Sequence, residues 1–330
     1  MLNNVSHKAA FAMRPEGSLN HMPVDPLQLP GDDPLRHSAA LAGKDLVSRK
    51  ALMAILCQQD HPQQDDLRAF LTHFNIAEPA DRRVLDCYAE RFILIIRTAR
   101  SCEQWAHGNH FQKKLLDFWQ ASETVVIAGG ITSAQFGIHL ASRVEEAFTN
   151  LDILASPWAG QTALFGLAQA VAQRELLLVL DFGGTGVKCG IAHNYGNRID
   201  HLFEMEVAPY LHQGLVYADH FRELLVQIRE RVGCALPVAI SLACYMDSGV
   251  VFDYKSGIYH RLGACSDNLA ITLNDEWLPA VDLGELKALE HDSTAAALAF
   301  QFRTPAMMVT LGTGLGSAPC PYVPLPGRSG

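Results

Sequence analysis

The chain is short of charge, of patterned cysteine and of long apolar runs, and each shortage closes off a class of protein. Charged residues are 18% of its 330 positions, and the 35 acids outnumber the 26 bases for a formal net charge of −9. Neutralising the phosphates of a nucleic acid takes a basic face, so no DNA or RNA partner is expected. The eight cysteines include no C-x-x-C pair. Such scatter speaks against a disulfide framework or a structural zinc site and for reduced thiols in the cytoplasm. The longest apolar runs, such as Leu176–Leu180, have the length of a strand and cannot cross a bilayer. The opening segment MLNNVSHKAAFAMRPEGS has no apolar core of the kind a signal peptide carries. Repeats and low-complexity tracts are also missing. The expectation is a cytoplasmic globular protein with no membrane partner, long enough to bury two cores.

What is present alternates between two periodicities. Residues 1–40 read as loops. From Asp45 to Trp119, segments such as RRVLDCYAERFILIIRTAR space apolar residues by three and four, the period of a buried helix face. Thr124–Gly130 reads as an apolar strand, followed by a helix, the short strand LDILAS, a loop at Pro157–Gly160 and the helix TALFGLAQAVAQ. Composition changes at Arg174. Strands with polar turns then run to about His260, broken by the helix YADHFRELLVQIRERV; HDSTAAALAFQF reads as a helix, and PCPYVPLPGRSG as a loose tail. Alternating strands and helices make the class α/β.

Two glycine turns stand out. The first follows the apolar strand LLLVL and reads Asp181-Phe182-Gly183-Gly184-Thr185-Gly186-Val187-Lys188. Glycine at a strand end lets the backbone turn and approach a ligand, and successive N–H groups there can cradle phosphate. Thr185 and Lys188 add a hydroxyl and a positive charge, while Asp181 is a candidate to hold Mg²⁺ through water. A plain hairpin is an equal alternative for such residues. The second turn, Gly312-Thr313-Gly314, follows the strand MMVT and allows the same two readings. Between them, at the start of a predicted helix, lies Glu290-His291-Asp292-Ser293. A carboxylate there suits a general base for a hydroxyl, and equally suits a helix cap.

Together these segments resemble the ROK family of repressors and sugar kinases, within the actin/hexokinase-like superfamily. DFGGTGVKCGIA and LGTGLGSA look like its two phosphate motifs, and EHDSTAAALA like the segment with its catalytic aspartate. TVVIAGGITSAQFG is similar to the adenosine-side strand and turn. EGSLNHMPVD resembles the loop that presents a histidine to the sugar, and SLACYMDSGVVF a strand and turn usually written with Pro-Gly. The order is rotated: the histidine loop and the adenosine turn precede Asp181. Read from Arg174 around the ends, the family order returns, which is a circular permutation. A misassembled gene, or a site completed by a second copy, is the alternative.

The resemblance implies a two-lobed α/β fold, actin/hexokinase-like (ribonuclease H-like), with an inter-lobe cleft. It implies a large lobe over 1–155, a linking helix over 156–173, a small lobe over 174–303, and a return to the large lobe over 304–330. It implies ATP and Mg²⁺, with a small sugar, hexose or N-acetylhexosamine, as acceptor. Asp292 would be the base. Asp181, Gly183, Gly184, Thr185, Lys188, Gly312, Thr313 and Gly314 would hold phosphate, Gly129 and Gly130 adenosine, and His21, His291 and Ser18 the sugar. A homodimer is left open. The chain departs from the family at Ser18 and Asn20, where a glutamate and a glycine are usual, at His291, where asparagine is usual, and in having no zinc-binding cysteine cluster after the histidine loop. These departures leave room for a sugar- or nucleotide-sensing regulator, or for a kinase homologue that binds nucleotide without turnover.

Overall fold

The computed structural model describes residues 9–171, 175–254 and 257–323. Their strands are, in chain order, β1 (Pro23–Val24), β2 (Leu41–Ala42), β3 (Thr124–Ala128), β4 (Asp152–Ala155), β5 (Leu177–Phe182), β6 (Gly186–His193), β7 (Arg198–Glu206), β8 (Val238–Leu242), β9 (Met246–Asp247), β10 (Val250–Val251), β11 (Leu286–His291), β12 (Ala306–Leu311) and β13 (Leu315–Pro319). The protein is α/β and divides into two compact units, one of Met1–Pro15 with Gln161–Gln301, the other of Glu16–Gly160 with Phe302–Gly330. The join at 172–174, where the permutation would fuse the family's old ends, lies outside the described residues.

In the first unit, five strands pair in the order β11-β8-β5-β6-β7. β5, β6 and β7 form an antiparallel meander, and β8 and β11 add to β5 in parallel. That order and direction is the ribonuclease H-like arrangement. β5 and β8 are buried along their whole length, which is why LLVLDF and VAISL read as near-continuous apolar runs. The helix Ala218–Val232 turns Phe221, Leu224, Leu225 and Ile228 inward at helical spacing, and Phe221 stacks on Phe182 with ring centroids 4.5 Å apart. The helix Thr162–Val171 packs over β5, β6 and β8 and against the helix Asp292–Ala297. Gly166 makes that second contact possible: a Cβ there would stand 1.7 Å from the Ala295 carbonyl oxygen.

In the second unit the sheet order is β13-β12-β3-β4. β12 and β13 form a hairpin, and β3 and β4 add to β12 in parallel. Each unit therefore contains one four-strand unit of hairpin plus two parallel strands. In the second unit the parallel strands come early in the chain and the hairpin comes last. The 22-residue helix Pro79–Arg100 starts with proline at its first position and buries an aliphatic and aromatic stripe. Its Arg91, 1% exposed, is paired in fork geometry with the buried Asp33 at 2.8 and 3.1 Å. His61 belongs to a separate network: Nδ1 accepts from the Gln63 amide, so Nε2 donates to Asp81 at 2.8 Å.

Three expectations about elements change. The helix beginning at Asp292 ends at Ala297 rather than running through Phe302, because turns at Leu298–Phe300 carry the chain toward β12. A helical run over Leu269–Ala280 goes unread in the sequence; Asn268 caps it by accepting from the Ala270 and Ile271 amides. The first residues of the presumed loose tail are pinned: the Cys320 amide donates to Ala306 and the Val323 amide to Phe302, and Cys320 is fully buried. Among the described residues no helix is long and apolar enough to cross a membrane.

Candidate functional site

β5, β8 and β11 run parallel and in register, so Asp181, Ser241 and Glu290 form one row near their carboxyl ends. In open α/β sheets that edge is where ligands bind, because the loops leaving it are free to vary. The Ser241 hydroxyl donates to Asp181 Oδ1 at 2.8 Å, and Lys188, opposite Asp181 on β6, brings Nζ to 3.6 Å of Oδ2. Burial pushes the Asp181 carboxyl above its usual range; Lys188 opposes this, the Asp292 charge adds to it, and the Ser241 hydroxyl opposes it. The turn after β5 closes with the Gly183 amide donating to Gly186, while the Tyr259 hydroxyl donates to Gly183 at 3.0 Å. Gly184 and Thr185 stay exposed. The hairpin reading and the ligand-loop reading of this turn are thus the same geometry.

β11 ends on His291, and Asp292 is the first residue of the helix that follows, with the cap position falling on His291. The Asp292 side chain is 32% exposed, and Oδ1 accepts from the Ser293 amide at 2.6 Å and hydroxyl at 3.1 Å. His291 lies buried beneath, its ring stacked on Tyr245 at 4.8 Å and its Nε2 3.1 Å from Asp292 Oδ1. Burial lowers the His291 pKa from 6.5, Asp292 partly opposing, and Nδ1 has no hydrogen-bond partner among the described residues. A neutral imidazole that donates from Nε2 satisfies the contact with Asp292.

That depressed His291 has a consequence for stability. Below 6.5, the ordinary value of a histidine, the unfolded chain takes up a proton that the folded chain resists, so stability falls as pH drops from 6.5 to the lower folded value. Asp181 acts with the opposite sign, because its raised carboxyl protonates more readily when folded. A His291→Asn variant removes only the first effect. Urea midpoints measured from pH 7.5 to 5 should fall less steeply for that variant than for the parent.

The donor set fits hydrated magnesium. Asp181 and Asp292 interact as like charges that a divalent cation would relieve. Among the described residues no three His, Cys, Asp or Glu side chains converge into a protein cage, so such an ion would keep most of its waters, as Mg²⁺ does readily.

The second unit carries the other candidates. Gly129 leaves β3 with φ +103°, and a Cβ on it would meet the Leu311 carbonyl at 2.3 Å; only glycine lets the two strand ends pass so closely. Its amide donates to Ala159, and Gly130 beside it is exposed with open space around its Cα. The Gly312–Gly314 turn joins β12 to β13, closed by the Gly312 amide on Gly314 at 3.0 Å, with Thr313 exposed. His21 is exposed on the loop before β1, its pKa lowered by partial burial and by Lys44, with Asp45 opposing. Ser18 is buried, its hydroxyl without a partner among the described residues. Thus Asp181, Gly183, Gly184, Thr185, Lys188, His291 and Asp292 belong to the first unit, and Gly129, Gly130, Gly312, Thr313, Gly314, Ser18 and His21 to the second. Ser241, Tyr245, Tyr259 and Asn20 are additional contacts. A lone serine inside the apolar run VAISL was the available signal for Ser241, and Asn20 stood out as a departure from the glycine usual in the resembling loop; the two tyrosines had no signal.

No family model matches this sequence, and no curated protein does. Among solved structures, a Ppx/GppA phosphatase of Aquifex aeolicus is 13% identical over 50% of this chain and 53% of its own, with a TM-score of 0.29. An exopolyphosphatase from Cytophaga hutchinsonii is 14% identical over 46% of this chain and 51% of its own, at 0.24. An exopolyphosphatase-like protein is 15% identical over 47% and 51%, at 0.26. The chain matches about half the length of each.

Proposed function

We propose that this protein transfers the terminal phosphoryl group of ATP to a sugar hydroxyl, with Asp292 as the base. The observation that carries this reading is the assembly on one sheet edge of a buried Asp181, held by Ser241 and faced by Lys188, with a half-exposed Asp292 on the next element. A sugar hydroxyl is a weak nucleophile, and a positioned carboxylate takes its proton as the new oxygen–phosphorus bond forms. ADP leaves with the electron pair of the broken bond. Within the first unit Lys188 offsets negative charge beside Asp181, and Gly183, Gly184 and Thr185 are assigned to phosphate; within the second, Gly312, Thr313 and Gly314 are. Gly129 and Gly130 are assigned to adenosine, and His21 to the sugar. When bound, magnesium would neutralise phosphate charge, with Asp181 reaching it through water.

A second reading, nucleotide binding without sugar transfer, is favoured by the second unit. Ser18 is buried, and Asn20 is committed to the backbone of the neighbouring turn, so neither offers a carboxylate to a sugar. A coupled ADP-release assay across hexoses and N-acetylhexosamines separates the two. Sugar-dependent release supports the kinase. Calorimetric binding of MgATP with no release under any sugar supports the second reading.

A further inference from the structure

The Gly312–Gly314 turn does not hold its shape alone. The Asn20 side chain lies along its exit, with Nδ2 donating to the Leu315 carbonyl at 2.6 Å and Oδ1 accepting from the Leu315 amide at 2.7 Å. One carboxamide thus satisfies both polar groups of one peptide residue, across 295 residues of sequence. The main chain of Asn20 is fixed in turn: the Lys44 amide donates to its carbonyl at 3.4 Å, and the Gly43 amide to the Met22 carbonyl at 3.0 Å. Gly43 permits this approach, since a Cβ there would stand 2.1 Å from the Leu19 carbonyl. On the other side of the turn, the Arg49 amide donates to the Gly312 carbonyl at 2.7 Å. The turn is therefore tethered at its entry by the start of one helix and at its exit by Asn20.

We infer that Asn20 is a positioning residue for phosphate binding, which fixes the Gly312–Gly314 amides through Leu315 rather than touching the ligand itself. An amide that must cradle phosphate gains affinity when its direction is set before the ligand arrives. Only a side chain with both a donor and an acceptor on one short arm can close this pair. Aspartate keeps the acceptor and loses the donor; it also sets a carboxylate against the Leu315 carbonyl and close to Gly314, whose Cβ position is 2.9 Å from Asn20 Oδ1. The same loop carries His21, so occupation of the loop and order in the turn are linked, and tightening one tightens the other.

The functional half of this inference rests on the proposed nucleotide site, and two measurements separate its failure from the failure of that site. The first is MgADP affinity by calorimetry for the parent, Asn20→Ala and Asn20→Asp. Loss of two hydrogen bonds of ordinary net strength should weaken MgADP about 10-fold in the alanine variant and further in the aspartate variant. The second is amide hydrogen exchange at Gly312–Leu315 without ligand, which should quicken in both variants while exchange in β3 stays unchanged. Faster exchange with no ADP binding by the parent would sink the nucleotide reading and leave the tether standing. Parent-like ADP affinity in a folded Asn20→Ala protein would overturn the positioning role, and parent-like exchange would overturn the tether.

Discussion

Replacing Asp292 with alanine is expected to lower sugar-dependent ADP release by about 10²–10⁴-fold, the usual worth of a general base, with nucleotide affinity unchanged or slightly improved. The asymmetry follows from what the carboxylate touches. Its hydrogen bonds are to the adjacent Ser293 and to His291, and its side chain is 32% exposed, so folding loses only local contacts, on the order of 1 kcal/mol. Asp292 also raises the buried Asp181 by like-charge repulsion. Removing it eases Asp181 toward its ionised form and does not disturb the Lys188 or Ser241 contacts. Asn at 292 keeps an acceptor for the Ser293 amide yet accepts no proton, so it should match alanine in rate and exceed it in stability. Turnover of Asp292→Ala equal to that of the parent, with both variants folded, would remove Asp292 from the chemistry.

How much of this could be read from the chain depends on the distance over which each feature is encoded. The glycine turns at 183–186 and 312–314 were legible because strand, turn and strand are consecutive, and the apolar run before each turn announces a buried strand. Asp292 was legible for the same reason, following directly on β11. Lys188 and Asp181 fall opposite each other because a four-residue turn sets the register of β5 and β6. The Asn20–Leu315 tether was not legible, since 295 residues separate its ends and an asparagine in a polar loop has many uses. The matching four-strand sets were hidden too: LLVLDF and AMMVTL fill equivalent central strands with different apolar residues, and burial selects for apolarity rather than identity. The Leu269–Ala280 helical run was missed because DNLAITLNDEWLPA mixes a cap, three acids and a proline. Its apolar residues, Leu269, Leu273, Trp277 and Leu278, keep the period only when Asn268 is recognised as the start.

The largest effect on stability is expected at Gly166, where two opposing terms can be weighed. Glycine inside the helix Thr162–Val171 costs about 0.5–1 kcal/mol relative to alanine, so a methyl group would stabilise the helix taken alone. The methyl has no place to go. Its carbon would sit 1.7 Å from the Ala295 carbonyl oxygen and 2.9 Å from the Ala299 amide nitrogen, both backbone atoms that cannot rotate aside. The helices must separate, and overpacking of this kind costs about 1–3 kcal/mol, which outweighs the propensity gain. Gly166→Ala should therefore lower the urea midpoint and the Tm, and Gly166→Val should lower them further. Gly31→Ala is the matched control, because a Cβ at Gly31 meets nothing within 4 Å. The displaced partner is the short helix that begins at Asp292, so any folded fraction of Gly166→Ala should also carry a misplaced carboxylate. Sugar-dependent turnover, corrected for folded protein, should then fall in Gly166→Ala and not in Gly31→Ala. A Gly166→Ala protein as stable and as active as the control would mean that the two helices do not meet at this point.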